Sequence, residues 1–86
     1  MKLKGSFVTR QFQDTYVMAG TEDAEFRGIV NGNTTTAFII ECLKTHTTRE
    51  EIIDKMLLKY DAPEEFIAED VDKVLEVLKE IGAIEE

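Results

Sequence analysis

The chain is predicted to be an α+β domain in which a three-stranded antiparallel sheet is followed by three helices. Three observations predict it. The first 30 residues carry short runs of β-branched and aromatic residues interrupted by turn residues. From Asn33 onward, apolar residues recur at helical spacing behind three separate helix-start signals. No low-complexity linker and no longer repeat divides the 86 residues, so residues 1–86 are expected to form one domain with one modest core.

The first strand is expected over Ser6–Phe12 and the second over Thr15–Ala19, joined through Gln13 and Asp14. Gly20 to Asp23 reads as a loop. Phe26–Val30 is the third strand, in which Gly28 marks a bulge or a close backbone approach. Short connections between three short strands favour a meander. Asn33, followed by three threonines, is a good N-cap for a helix over Thr34–Lys44, with Phe38, Ile39, Cys42 and Leu43 as its apolar face. Thr47 and Thr48 each find a glutamate three residues on, which is capping-box spacing; Ile52, Ile53, Met56, Leu57 and Tyr60 then follow at helical period. Asp61-Ala62-Pro63-Glu64-Glu65 starts the third helix: the aspartate can accept free N–H groups, proline suits the first turn and the glutamates suit the positive helix end. Its core stripe is Ile67, Val71, Val74, Leu78 and Ile81, and Gly82 stops it. This order is compatible with a winged helix-turn-helix-like arrangement.

Composition removes several function classes. Apolar residues at 43% and charged residues at 33% exclude wholesale disorder. The longest apolar run, Ala37–Ile40, is far from a membrane span, and Met1 to Ser6 has no signal-peptide core, so the expected location is cytoplasmic, with no membrane partner. Cys42 is the single cysteine and reads as a small buried hydrophobe. His46 is the only histidine and no third orienting group accompanies it, so a nucleophilic thiol is not expected. Asp70 and Asp72 do not share a helical face and no histidine or calcium-type loop accompanies them, so no metal, no cofactor and no catalysis are expected. The net charge of -8 lies wholly in residues 61–86, where ten acids face Lys73 and Lys79; nucleic acid would be repelled there.

Five stretches in order carry a family resemblance: Phe26-Arg27-Gly28-Ile29-Val30, Asn33 to Ile39, Thr48 to Ile53, Tyr60-Asp61, and Leu75 to Ile84. Together they resemble the PqqD family, small proteins named for pyrroloquinoline quinone biosynthesis. The resemblance implies a winged-helix precursor-peptide recognition element. Such a protein is a non-catalytic chaperone that binds the leader of a ribosomally made peptide and presents it to a modifying enzyme, often a radical S-adenosylmethionine enzyme. Two positions depart from the pattern: the family usually has leucine immediately before the Asn33 position and glycine at the Thr36 position, whereas this chain has Gly32 and Thr36.

The resemblance also implies where the leader binds, as an added strand beside the third strand, resting on the third helix. The matching positions are Phe26, Arg27, Gly28, Ile29 and Val30 on the strand; Phe66, Asp70, Lys73 and Val77 form the helical stripe one residue off the core. An unpaired edge offers backbone groups for affinity, and side-chain pockets supply selectivity. Phe66 and Val77 either wall such a groove or widen the core face, and Lys73 either pairs with an acidic leader residue or is solvated. Two other readings use the same features. A DNA-binding winged-helix regulator would need the opposite charge on Glu64–Glu80, which holds seven acids and two lysines. A structural module would pair the open edge with a second copy, giving a homodimer.

Since neither the thiol nor the imidazole enters this reading, Cys42→Ser and His46→Gln should each keep leader affinity within a few-fold by titration calorimetry. Loss of binding in either variant with the fold intact would move the site.

Overall fold

The computed structural model describes residues 1–12, 15–20 and 29–85. Its order is β1 (Lys2–Leu3), β2 (Phe7–Phe12), β3 (Thr15–Gly20), β4 (Ile29–Gly32), α1 (Thr34–Cys42), α2 (Arg49–Lys59), α3 (Glu64–Glu80) and β5 (Ile84–Glu85). The fold is α+β, with three helices and antiparallel pairing throughout the described strands. Strands β2, β3 and β4 lie side by side in that order, with Phe7 opposite Gly20 and Tyr16 opposite Gly32. A second, two-stranded sheet joins β1 to β5.

That second sheet was not expected from the sequence, because a pair of two-residue strands at opposite ends of a chain has no local signature. It clips the termini onto the helices. Leu3 donates its backbone N–H to Leu43 O at 2.7 Å, and Lys4 donates to Ala83 O at 2.8 Å. Leu3 is buried among the helices as a result.

Each helix starts and stops for a local reason. At the start of α1, Asn33 Oδ1 accepts from Thr36 N at 3.0 Å and from Thr36 Oγ1 at 3.1 Å. The helix ends at Cys42 rather than Lys44, because the N–H of Leu43 is shared between Ile39 O and Ile40 O and the turn tightens. Helix α2 settles the choice of threonine: Thr48 is the N-cap and accepts from Glu51 N at 3.2 Å. Thr47 is buried and donates its hydroxyl to the Glu51 carboxylate. Helix α3 differs from expectation. Its N-cap is Pro63, with no side-chain cap, and the Pro63 carbonyl accepts from Phe66 and Ile67. It ends in a Schellman motif, with Gly82 at φ 72°, Gly82 N donating to Lys79 O and Ala83 N donating to Leu78 O at 2.8 Å.

The core forms where the three helices meet one face of β3. Tyr16 and Met18 alternate inward on that strand. They meet Ile39 and Ile40 of α1 with Leu43 just beyond its end, Ile52 and Met56 of α2, and Ile67, Val71, Leu75 and Leu78 of α3. Two expected core positions shift. Leu75 takes the place assigned to Val74, which is half-buried with Ile81, because spacings of four, four and three keep α3 on α2 over its whole length. On α1, Ile40 is buried with Ile39 and Cys42, and Phe38 lies at the edge of the core instead, edge-to-face with Tyr60 at 6.0 Å.

Arg49 and Asp72 join the start of α2 to α3 through two parallel hydrogen bonds. Hydrogen bonding from Arg49 holds the Asp72 carboxyl below its ordinary range. A depressed carboxyl stabilises the fold above its unfolded value, and that contribution fades as the pH falls through the lowered one. Both side chains are about half exposed, so the pair contributes little.

The strand-to-helix corner explains the two departures from the family pattern as one. A Cβ on Gly32 would lie 2.6 Å from Thr36 Cγ2 and 2.7 Å from Thr36 Cβ, closer than real atoms approach. The glycine makes room for the threonine. Gly32→Ala should therefore destabilise the protein by about 1 to 3 kcal/mol, and a double change, Gly32→Leu with Thr36→Gly, should recover part of the loss of the single Gly32→Leu in urea melts. Additive losses would mean that the two positions are uncoupled. At the terminal clip, Leu3→Ala should cost about 2 to 4 kcal/mol by the same measurement.

Candidate functional site

The sheet β2-β3-β4 has β4 at one margin. Among the described residues, β4 pairs with β3 alone, through Ile29 opposite Ala19, Val30 opposite Met18, Asn31 opposite Val17 and Gly32 opposite Tyr16. Its second side has no described partner strand. A strand in that position presents a row of N–H and C=O groups that can bind another extended chain. The other margin is β2, where Val8 is 49% exposed.

Of the strand residues singled out from the sequence, Ile29 and Val30 lie in β4; Phe26, Arg27 and Gly28 lie outside the described residues. Within the described residues, the strand extends two residues beyond its expected end, through Asn31 and Gly32. Hydrogen-bonding capacity therefore runs up to the Asn33 cap. The sequence reading stopped at Val30 because asparagine and glycine are turn residues by habit. Here the strand pairing overrides that preference.

On α3, the four residues of the off-core stripe are all exposed. Phe66 is 59% and Val77 44% exposed, so neither widens the buried face, which is carried by Ile67, Val71, Leu75 and Leu78. Asp70 lies between them on the same stripe. Lys73 is held 3.3 Å from Glu69 by an i,i+4 ion pair on an open surface. Such a pair is weak and exchangeable. Leu58, at 90% exposure near the end of α2, is a further open apolar residue that the helical pattern did not single out.

The groups that could carry chemistry are arranged for packing. Burial raises the Cys42 thiol, with the Glu41 carboxylate adding to it and Lys55 opposing, so the nucleophilic thiolate is disfavoured. His46 is exposed on the α1–α2 connection. Among the described residues, no group of three or more histidine, cysteine, aspartate or glutamate side chains is placed to hold a metal ion. No described helix is long and apolar enough to cross a membrane. A cavity of about 550 Å³ lies between the start of α2 and α3, and the Arg49 and Asp72 pair lies along it.

Comparison with known proteins places this geometry. Two solved structures share the fold. One is described as TbiB1 in complex with the TbiA(beta) leader peptide; it is 20% identical, with 99% of this chain and 100% of that chain covered and a TM-score of 0.75. The other, lasso peptide synthetase B1 complexed with the leader peptide, is 17% identical, with 95% and 93% covered and a TM-score of 0.74. No curated protein matches. The family model for coenzyme PQQ synthesis protein D (PqqD) matches residues 16–84, from the start of β3 to β5. With so much of its length matched, this chain belongs to the PqqD family.

Proposed function

We propose that this protein binds the leader segment of a ribosomally made precursor peptide and presents it to a separate modifying enzyme. The observation that carries the reading is the PqqD family match over residues 16–84, together with a fold shared with two proteins solved with leader peptides. The protein acts as a binding partner, and the chemistry belongs to the enzyme it serves. A radical S-adenosylmethionine enzyme is the class that the family resemblance suggests. The fold is read as a winged helix-turn-helix-like arrangement used for peptide rather than DNA. The acidic α3, Glu64–Glu80, opposes phosphate binding. The compartment that suits this role is the cytoplasm, where the precursor is translated.

In this mechanism, the leader adds as a strand along the stretch Phe26–Val30, of which Ile29 and Val30 lie in β4, and rests against Phe66, Asp70, Lys73 and Val77 of α3. Backbone pairing supplies affinity that depends little on leader sequence, while the apolar Phe66 and Val77 and the exchangeable Lys73 supply selectivity. In the absence of leader, the same edge could pair with a second copy, and the leader would then dissolve that dimer.

The test is a proline scan. Successive N–H groups of an edge strand alternate between neighbour and open side, and proline removes one. Among Arg27, Gly28, Ile29 and Val30, one alternating pair should keep near-native helical circular dichroism yet lose leader affinity by about 1 kcal/mol or more. The other pair should lower the melting temperature. A proline at Val8 or Thr9 on β2 serves as the control for the opposite margin. If every folded variant in Arg27–Val30 binds like the parent, or if only the β2 variants lose affinity, strand addition at this edge is wrong.

A further inference from the structure

A second cavity, of about 420 Å³, lies where β3, the first turns of α1 and the end of α2 meet. Phe38 and Tyr60 line it with rings set edge-to-face. Tyr16 also lines it and is 95% buried, with its hydroxyl sealed from solvent and without a hydrogen-bond partner among the described residues. A buried hydroxyl left unpaired is costly, and native proteins seldom keep one without a use. Lys59 lies over the Phe38 ring, its Nζ 4.9 Å from the centroid, and makes no ion pair among the described residues. Glu41, on the same lining, is occupied by Lys44, which reaches its two oxygens at 3.2 and 3.1 Å.

The groups left unmet here are the Lys59 ammonium, over the aromatic wall, and the Tyr16 hydroxyl, sealed behind the lining; both are donors. Glu41 is paired with Lys44 on the open surface, which leaves Lys59 as the lining cation without an ion partner among the described residues. Complementary chemistry is an apolar stem tipped by a negatively charged acceptor. Position adds a second argument. Tyr16 is the register partner of Gly32, and Thr34, the first residue of α1, also lines the cavity. The cavity therefore borders the end of β4, on the side paired with β3.

We propose that this cavity receives the carboxylate of a glutamate side chain from the bound peptide, its methylenes against Phe38 and Tyr60 and its oxygens accepting from Tyr16 and Lys59. The assignment rests on the peptide-binding reading and adds a subsite to it. Entry requires the lining to give, and Lys59, a flexible chain on the open face of Phe38, is the member best able to move.

The test uses short probes that cannot form a strand: acetyl-Ala-Glu-Ala-amide, with Gln and Leu in place of Glu as comparisons. Followed by amide nitrogen–proton NMR, the Glu peptide should give saturable shifts at Phe38, Tyr60 and Thr34 in the millimolar range, with the Gln peptide weaker and the Leu peptide weakest. Tyr16→Phe should weaken the Glu peptide about fivefold, the loss of one hydrogen bond, and Lys59→Met should abolish the preference for Glu over Gln. Thermal melts provide an independent reading. Tyr16→Phe should melt at or above the parent temperature, because it removes only an unpaired hydroxyl. A clear drop would mean that the hydroxyl has a partner within the folded chain, and the proposal would fail. It would also fail if no saturable shift occurred up to the solubility limit, or if Tyr16→Phe bound the Glu peptide like the parent. Proline variants of β4 report separately on strand addition. Should the Glu peptide bind while those variants leave leader affinity untouched, the cavity stands and the strand reading falls.

Discussion

The cap at Asn33 is the interaction on which the rest of the structure depends. One side-chain oxygen accepts both the backbone N–H and the hydroxyl of Thr36, and so turns an extended strand into a helix within a single residue. The turn is tight enough that Gly32 must lack a Cβ. Its consequence is directional. Strand β4 is delivered to the margin of its sheet, with α1 leaving at once to pack against β3. Were the corner looser, β4 would not be held in register up to Gly32, and the margin would end earlier.

The helices make that margin rigid. Helix α1 packs against β3, α2 and α3 pack along each other, and the inward residues Tyr16 and Met18 tie the sheet to all three. The terminal clip of β1 with β5 closes the opposite end by bonding to Leu43 and Ala83. In a chain of 86 residues this arrangement leaves little interior for catalytic machinery. It leaves margins, shallow cavities and an exposed helical stripe, which is the equipment of a protein that recognises another chain.

Charge divides the molecule in the same sense. The surplus of acids sits on α3 and the C-terminal segment, while Lys59 stands over the aromatic cavity at the far end of α2. An acidic helix repels nucleic acid and does not prevent a peptide from pairing through its backbone, since that pairing is made by neutral amides. An α+β fold bearing this charge is suited to peptide.

The sequence by itself determined the elements whose signals are local. The Asn33 cap, a capping-box threonine at Thr47 or Thr48, and the Gly82 stop depend on residues within one turn, so spacing reveals them, although only the structure chose Thr48. The α+β order and most of the core stripe were legible for the same reason, whereas spacing left open whether Phe66 and Val77 widen the core face, and the packing of α3 leaves them exposed. Tertiary structure alone decided the rest. The β1–β5 clip joins residues more than 80 positions apart, and the burial of Leu75 in place of Val74 depends on how α3 lies on α2. The contact of Gly32 with Thr36 gave meaning to two departures that looked independent in the sequence. The grouping of Tyr16, whose hydroxyl has no partner among the described residues, with Phe38 and Lys59 is likewise invisible in a linear pattern, because these residues come together only through the packing of β3, α1 and α2. Contacts within a turn are written in spacing, whereas contacts between elements depend on the angle and register at which finished elements meet.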